Sequence, residues 1–233
     1  MSNHQQSELL GSERTGEKAD GGRFPLLAPD ALDDEQLALY NTIAGPPRAG
    51  GPFLVVDDDG HLAGPFNALL YAPGIGQAVQ ALGAALRFNG KLPARTRELV
   101  ICAVAAERSS AYEWYAHSRV ALTVGITATE LDNLRTGFVP AGLPDHEHSA
   151  LSFTAALLGG RTVPAGHHAA ALKHHGHAGI TELAVLVGYY RALSGLLAAG
   201  DVNAPASTEP APHDATPHSH PQPHILTTKG EHP

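Results

Sequence analysis

Basic and sulfur-containing residues are scarce in this chain of 233 residues. It has one cysteine and one methionine, and 15 Lys and Arg stand against 23 Asp and Glu, for a formal net charge of −8. Because the few basic residues are scattered along an acidic chain, we expect no positive surface for nucleic acid. A single cysteine gives no indication of an oxidising compartment.

Long hydrophobic runs are also missing. No apolar stretch approaches the ~20 residues that a membrane-spanning helix needs, and the N-terminal residues lack the apolar segment of a signal peptide. We therefore expect a soluble cytoplasmic protein with no membrane partner.

The two ends of the chain differ from the rest in composition. Residues 1–22 are polar, and residues 203–233 are rich in Pro and His with few bulky apolar side chains. Such segments cannot bury enough apolar surface to offset the entropy lost on ordering. We predict a disordered N-terminal arm and a disordered C-terminal tail around one folded domain, residues 23–202, which is long enough for one hydrophobic core.

A helical hairpin is predicted between Leu92 and Gly125. Pro93 suits a first helical turn and Gly125 the position after a helix end, while polar residues 108–110 separate two apolar arms. Every side chain from 99 to 106 is apolar, so the first arm must be buried on all sides. Other helical periods, separated by Gly and Pro, fill the domain. We predict an all-α bundle of about eight helices built around this buried antiparallel hairpin.

Three ionisable side chains fall within the hairpin. Glu113 and His117 are four residues apart and so share one helix face. Glu98 and His117 are almost equally far from the turn, so their heights differ by only ~4 to 5 Å, which a glutamate side chain can close. Two carboxylates and an imidazole in an apolar setting suit acid–base catalysis, because burial and like charge raise a carboxylate pKa. The alternative is a structural histidine paired with Glu113.

The hairpin sequence also carries a family resemblance. The run RELVICAVAAERSSAYEWYAHSRVALTVGIT, with GPFNALLYAPGIGQAVQALGAALRF before it and ITELAVLVGYYRALSGLLAAGDV near the end, resembles the carboxymuconolactone decarboxylase family, whose fold is that of alkyl hydroperoxidase D-like proteins. The resemblance covers roughly residues 28–202. In the peroxidase branch the motif is Glu, eleven residues, then Cys-x-x-Cys-x-x-x-His. Glu98 and His117 match it, but Ser110 and Glu113 hold the cysteine positions, so the chain resembles the decarboxylase-like branch.

The resemblance implies a cofactor-free lyase that removes CO2 from a small carboxylated lactone. In that interpretation His117 is the general acid, Glu113 its orienter and Glu98 the second member of the relay. A peroxidase of the alkyl hydroperoxidase D-like type is the alternative enzyme, disfavoured because Cys102 lies off the motif and no thiol pair exists. A non-catalytic oligomer that binds a small acid, or a partner through its tails, is the third hypothesis.

Three further residues are candidate contacts for the carboxylate substrate. Arg95 is three residues before Glu98 on the same helix face, and it is either the ion-pair partner of Glu98 or the anchor of a substrate carboxylate. Asn67 either caps a short helix or contributes to the site. Tyr115 either packs in the core or offers its hydroxyl to a pocket.

Histidines are numerous, but we predict no physiological metal site and no cofactor. The helix expected to hold His167, His168, His174, His175 and His177 is short and Ala-rich, and no carboxylate or cysteine joins them. Adventitious binding of nickel or zinc is the expected behaviour. A calcium loop starting at Asp57 is excluded because Ala68 stands where its final glutamate would be needed.

The final helix suggests self-association. Between positions 181 and 199 it is nearly apolar all round, with Gly188 and Gly195 on a common face, and one chain has difficulty covering it together with the hairpin. The resemblance implies trimers or hexamers with active sites close to a subunit contact. We predict a homotrimer or homohexamer whose interface includes this helix.

Overall fold

The structure, a computed structural model, describes residues 16–160 and 162–206. These residues form eight α-helices and no strand longer than an isolated bridge, which confirms the all-α prediction. In chain order the helices are α1 Asp34–Ala44, α2 Pro65–Leu70, α3 Pro73–Ala84, α4 Ala94–Glu107, α5 Ala111–Thr123, α6 Ala128–Arg135, α7 Asp145–Gly159 and α8 Ala165–Gly200. A π-helical turn, Ala85–Asn89, follows α3 directly.

The chain divides into two compact units. The described residues of the first unit are 16–82 and 196–206, and those of the second are 83–160 and 162–195. The candidate chemistry of the hairpin lies wholly within the second unit. The single-domain boundaries expected from the sequence stay a prediction.

Part of the predicted N-terminal arm is hydrogen-bonded within the first unit. The backbone N–H of Lys18 donates to the Ala206 carbonyl at 3.1 Å, and the N–H of Ala206 donates back at 3.2 Å. The Ala19 N–H donates to the Asp57 carboxylate at 3.2 Å. The described end of the arm therefore pairs with residue 206, while residues 1–15 and 207–233 lie outside the described residues.

The predicted hairpin is formed by α4 and α5 in the second unit. Ser109, at φ 49°, makes the turn between them. The side chains from Leu99 to Ala105 are at most 1% exposed, as their unbroken apolar character predicted. Helix α4 packs against α5, α6 and α7. This burial on every side makes α4 the central helix of the unit.

An apolar cluster fixes the orientation of α4. It combines side chains from α4, α5, α6 and α7 with the loop after α5. Its buried members are Leu99, Cys102, Ala103, Ala121, Ile126, Leu131, Leu134 and Leu151. Because these side chains occupy one side of α4, its polar residues have fixed positions relative to α5.

Helix α8 is interrupted at Gly176, whose φ of 64° and ψ of −178° are not helical. The sequence pattern predicts two separate helices here, one that holds the histidines and a final one between positions 181 and 199. By length and composition alone, α8 is apolar enough to cross a membrane, and half of its most apolar window is buried inside the protein. A core helix passes the same test, so the observation is weak evidence for a membrane span.

Candidate acid–base site

The hairpin brings the three predicted ionisable residues together. The Nδ1 atom of His117 lies 2.7 Å from Oε2 of Glu98, across the two helices. Its Nε2 atom lies 3.6 Å from Oε2 of Glu113, one turn earlier on α5. The three residues are between 1% and 3% exposed. The result is a buried carboxylate–imidazole–carboxylate cluster.

The two carboxylates differ in how they meet the imidazole. Glu98 forms the short hydrogen bond to Nδ1, and its other oxygen lies 3.6 Å from Nε of Arg97. Glu113 is beyond hydrogen-bond distance of Nε2, and its Oε1 has no partner among the described residues. Glu98 is therefore the residue that orients His117. The expectation that Glu113 does so is corrected, because the inter-helix bond is the shorter contact.

Burial controls the ionisation of Glu113. Its pKa is raised because the surrounding protein removes water from the carboxylate, an effect that the charges of His117 and Arg87 oppose and that of Glu98 reinforces. A raised pKa keeps a carboxyl group protonated closer to neutral pH. Glu113 is thus suited to hold and release a proton near Nε2 of His117.

Tyr190 of α8 also belongs to this site. Its ring packs edge-on against the imidazole of His117, with 4.9 Å between ring centroids and an interplanar angle of 86°. Burial raises the pKa of Tyr190 well above its ordinary value, and the charge of Arg87 opposes that shift. In the sequence, Tyr190 falls within the nearly apolar stretch between positions 181 and 199 and is not a predicted site residue. Its hydroxyl, among leucines, was the one sequence signal that set it apart.

The neighbouring Tyr189 requires a glycine opposite it. Its ring packs edge-on against Tyr190, at 5.1 Å between centroids. A Cβ atom at Gly83 would lie 2.2 Å from the Tyr189 hydroxyl. Gly83 therefore permits the close approach of its backbone to Tyr189, which packs against Tyr190 beside His117.

Several buried polar atoms around this cluster have no hydrogen-bond partner among the described residues. They include Nε of Arg87, Oγ of Ser110 and Oε1 of Glu113. Ser110 is the N-cap residue directly before α5, three residues before Glu113, which shares a face of α5 with His117. Most buried polar groups in proteins are hydrogen-bonded. These atoms leave hydrogen-bonding capacity for a ligand or water.

Arg95 is placed differently from both sequence interpretations. Its guanidinium pairs with Glu130 and lies 3.0 Å from Glu147, and it donates to the Gly125 carbonyl. The donors of this guanidinium are thus used by two carboxylates, that of Glu130 in the capping box of α6 and that of Glu147 on α7. Arg95 is neither the partner of Glu98 nor free to anchor a substrate, so we withdraw it from the candidate site.

Asn67 has a structural task in the first unit. Its Oδ1 accepts from the Leu27 N–H at 3.0 Å, and its Nδ2 donates to the carbonyls of Phe24 and Pro25 at 3.2 and 3.1 Å. Gly64, and not Asn67, stands at the cap of α2. Since the amide is fully engaged by backbone, the suggested substrate role is withdrawn.

Tyr115 does not share the reactive face of α5. It is two residues from both Glu113 and His117, and side chains at that spacing point in different directions. Its ring packs near Tyr112, with 5.9 Å between centroids, and lies under the guanidinium of Arg119 at 3.9 Å. These contacts fit the packing alternative.

The single cysteine is buried beside the cluster. Cys102 is fully buried one turn after Glu98 on α4. Burial raises the pKa of its thiol well above the ordinary value, and the charge of Glu98 adds to the shift. Since the thiolate is the reactive form, this environment makes Cys102 a poor nucleophile.

One group of side chains in the described part of the chain has the spacing of metal ligands: Asp57, Asp59 and His61, in the first unit. The Asp57 carboxylate already accepts the backbone N–H groups of Asp59 and His61 at 3.0 and 2.8 Å. Asp59 pairs with Lys18 at 2.6 Å. These bonds account for the cluster as a turn.

The predicted histidine helix has one partly buried member. The Nε2 atom of His175 lies 3.2 Å from Oγ of Ser149 and 2.9 Å from the carbonyl of His146. Burial lowers the pKa of His175. Its contacts link α8 to α7 and involve no carboxylate.

Comparison with known proteins extends these observations. The model of the carboxymuconolactone decarboxylase family matches residues 73–156, which include the whole hairpin. The solved alkylhydroperoxidase AhpD core of an uncharacterised peroxidase-related protein from Ralstonia eutropha JMP134 is similar, with a TM-score of 0.64 and 17% identity over 80% of this chain and 94% of that one. No curated protein matches the chain.

Two other solved structures share the fold. A protein of unknown function from Agrobacterium tumefaciens has a TM-score of 0.55 and 14% identity over 60% of this chain and 97% of that one. The debrominase Bmp8, solved with 2,3,4-tribromopyrrole, has a TM-score of 0.58 and 14% identity over 77% and 89%. At these identities the likeness shows the fold alone. In its segment 73–156 the chain matches the carboxymuconolactone decarboxylase family, and its fold is AhpD-like.

Proposed function

We propose that this protein is a cofactor-free lyase that decarboxylates a small carboxylated lactone by acid–base catalysis. The observation that carries the proposal is the buried cluster of Glu98, His117 and Glu113, in which the imidazole bonds Glu98 through Nδ1 and lies 3.6 Å from Glu113 through Nε2. The family match supports the reaction class.

The reaction needs a proton donor for carbon. When the C–C bond to the carboxylate breaks, CO2 leaves. The electron pair of that bond stays on the unsaturated lactone, which is then protonated on carbon. His117 delivers this proton from Nε2, because Glu98 holds Nδ1 and stabilises the charged ring. Glu113, with its raised pKa, is the adjacent proton source for His117, and water finally restores the proton.

Buried polar groups stabilise the charge that develops on the lactone. In a site from which water is excluded, fixed donors act more strongly than they do in solution. The buried Ser110 hydroxyl, at the N-cap of α5 three residues before Glu113, has no partner among the described residues. It is available to donate to the lactone oxygen.

The test is incubation with carboxymuconolactone in deuterated water, followed by product analysis. We expect release of CO2 and one deuterium on carbon in the product. The Glu98→Gln variant keeps a side chain of the same size and is expected to slow the reaction by about 10²-fold or more. Turnover that is equal in this variant and in the wild type would contradict the assigned relay.

We further propose that the enzyme acts in the cytoplasm as a homotrimer or homohexamer. In the single chain, Gly188 and Gly195 of α8 face open space, since a Cβ atom at either position would meet nothing within 4 Å. Val185, on the same helix, is 39% exposed. A second copy packing closely against these glycines would cover this surface.

A further inference from the structure

The geometry points to Arg87, together with Ser110, as the subsite that binds a carboxylate group of the ligand beside His117. This inference deepens the proposed function and rests on it for the identity of the reacting group. It replaces Arg95, whose guanidinium is already occupied by Glu130 and Glu147. Neither the sequence pattern nor the family match singles out Arg87.

Arg87 lies in the π-helical turn Ala85–Asn89, between α3 and the hairpin. π-helical turns are rare in proteins, and those that occur are often found at functional sites. The segment after the turn is held by Glu182 of α8, whose carboxylate accepts the backbone N–H groups of Lys91 and Leu92 at 2.8 and 3.1 Å. Glu182 thus fixes the position of the segment that follows Arg87.

Arg87 is half-buried, and its guanidinium is not fully hydrogen-bonded. Its Nε atom is buried without a hydrogen-bond partner among the described residues. Gly83, four residues earlier, lies against Tyr189, whose ring packs on Tyr190 beside His117. The charge of Arg87 acts on Glu113 and on Tyr190, in keeping with this position. Its Cζ lies 5.5 Å from the ring centroid of Phe88, which is 48% exposed. Arg87 therefore extends from the protein surface toward the buried cluster.

A carboxylate is the ligand that these groups recognise. The planar guanidinium donates two parallel hydrogen bonds to a carboxylate, which would satisfy the unused Nε. The Ser110 hydroxyl and a protonated Glu113 are additional donors, and both carry unpartnered buried oxygens. A divalent anion such as phosphate would be opposed by the nearby Glu98, so a singly charged carboxylate fits best.

The first test measures binding without turnover. Calorimetric titration at neutral pH compares 2-furoate, a small planar carboxylate, with its uncharged amide, 2-furamide. We expect the wild type to bind furoate at least about tenfold more tightly than furamide, because the uncharged amide cannot form the charge-assisted hydrogen bond. Arg87→Gln should bind the two compounds within about twofold of each other. Arg135→Gln, an exposed charge-matched control on α6, should keep the wild-type preference.

Two further variants keep the test decisive if Arg87→Gln does not fold. Arg87→Lys retains the charge but not the fork, and it should keep only part of the preference. Ser110→Ala should weaken furoate binding about threefold or more, with furamide unchanged. A wild type that does not distinguish furoate from furamide would overturn the subsite, as would a folded Arg87 variant that keeps the full preference.

Turnover then separates this inference from the proposed function. With an active substrate, Arg87→Gln should raise KM more than it lowers kcat, because its role is to hold the ligand. If carboxymuconolactone is not decarboxylated but furoate binding still depends on Arg87, the proposed function fails and the subsite stands. If the substrate turns over and neither KM nor furoate preference depends on Arg87, the subsite fails alone.

Discussion

Helix α4 contributes to two clusters of charged side chains that differ in how fully their polar atoms are used. Near its start, Arg95 is enclosed by Glu130 and Glu147, and both carboxylates accept hydrogen bonds. One turn later, Glu98 binds His117, and this cluster ends in Glu113 with an unpartnered oxygen. The first cluster is closed and the second is open.

The difference separates stability from chemistry. A closed cluster gains from every charged hydrogen bond and joins α4 to α6 and α7. In an open cluster each unpartnered group costs about 1 to 3 kcal/mol of desolvation. A ligand that supplies the missing hydrogen bonds offsets this cost. We therefore propose a structural role for Arg95 and an acid–base role for His117.

The largest expected effect comes from the open cluster. His117→Gln removes the general acid but keeps an N–H that can donate to Glu98, so we expect turnover to fall by about 10²- to 10⁴-fold with the fold intact. Steady-state kinetics and circular dichroism measure the two parts. His148→Gln, at an exposed histidine on α7, is the matched control and should behave as wild type. Undiminished turnover in His117→Gln would refute the mechanism.

The closed cluster should give the opposite result. Arg95→Gln leaves Glu147, whose side chain is 4% exposed, without its cation, and we expect a loss of about 2 kcal/mol in the free energy of unfolding. Urea denaturation measures this loss, and Arg135→Gln controls for removal of one charge. A variant as stable as the wild type would show that the network is not structural.

Self-association should depend on the open face of α8. Light scattering of the full chain is expected to give three or six times the mass of 24.3 kDa. Gly188→Leu adds a side chain where the single chain has space, so it should leave the fold intact and block close packing between copies. A monomeric wild type would contradict this prediction.

Glu113 should make stability depend on pH. A carboxyl group with a raised folded pKa binds its proton more tightly when folded, so its contribution is complete below the unfolded value of 4.5 and is lost as pH rises through the folded pKa. His117 and Arg87 limit the shift, and Glu98 increases it. Glu113→Gln should flatten the fall in the unfolding midpoint above pH 4.5. An identical pH profile in the variant would contradict the raised pKa.

The smallest expected effect is at the cysteine. Because Cys102 is buried with a raised pKa and no second thiol exists, we predict no thiol-dependent peroxidase activity. A peroxide-consumption assay should give the same background rate for wild type and Cys102→Ser. Peroxidase activity that disappears in the variant would restore the peroxidase hypothesis.

Local signals explain why the sequence predicted the hairpin and its cluster. Pro93 and Gly125 mark its limits, and helical spacing places Glu98 at the height of His117. The partners of Arg95 could not be found this way, because Glu130 and Glu147 lie 35 and 52 residues away and depend on how α6 and α7 pack.

Arg87 escaped sequence analysis for a different reason. It belongs to a π-helical turn, and the regular spacing of an α-helix does not predict where side chains point in such a turn. Only the packed structure, in which Gly83 one turn earlier lies against Tyr189, relates this turn to Tyr190.

One paired measurement tests the division between the two clusters most directly: turnover per folded molecule and the free energy of unfolding, both determined for His117→Gln and Arg95→Gln. We predict that His117→Gln loses turnover by at least about 10²-fold and keeps most of its stability. We predict that Arg95→Gln loses about 2 kcal/mol and keeps its turnover per folded molecule. The reverse pattern, an active His117 variant and an inactive but stable Arg95 variant, would contradict the account.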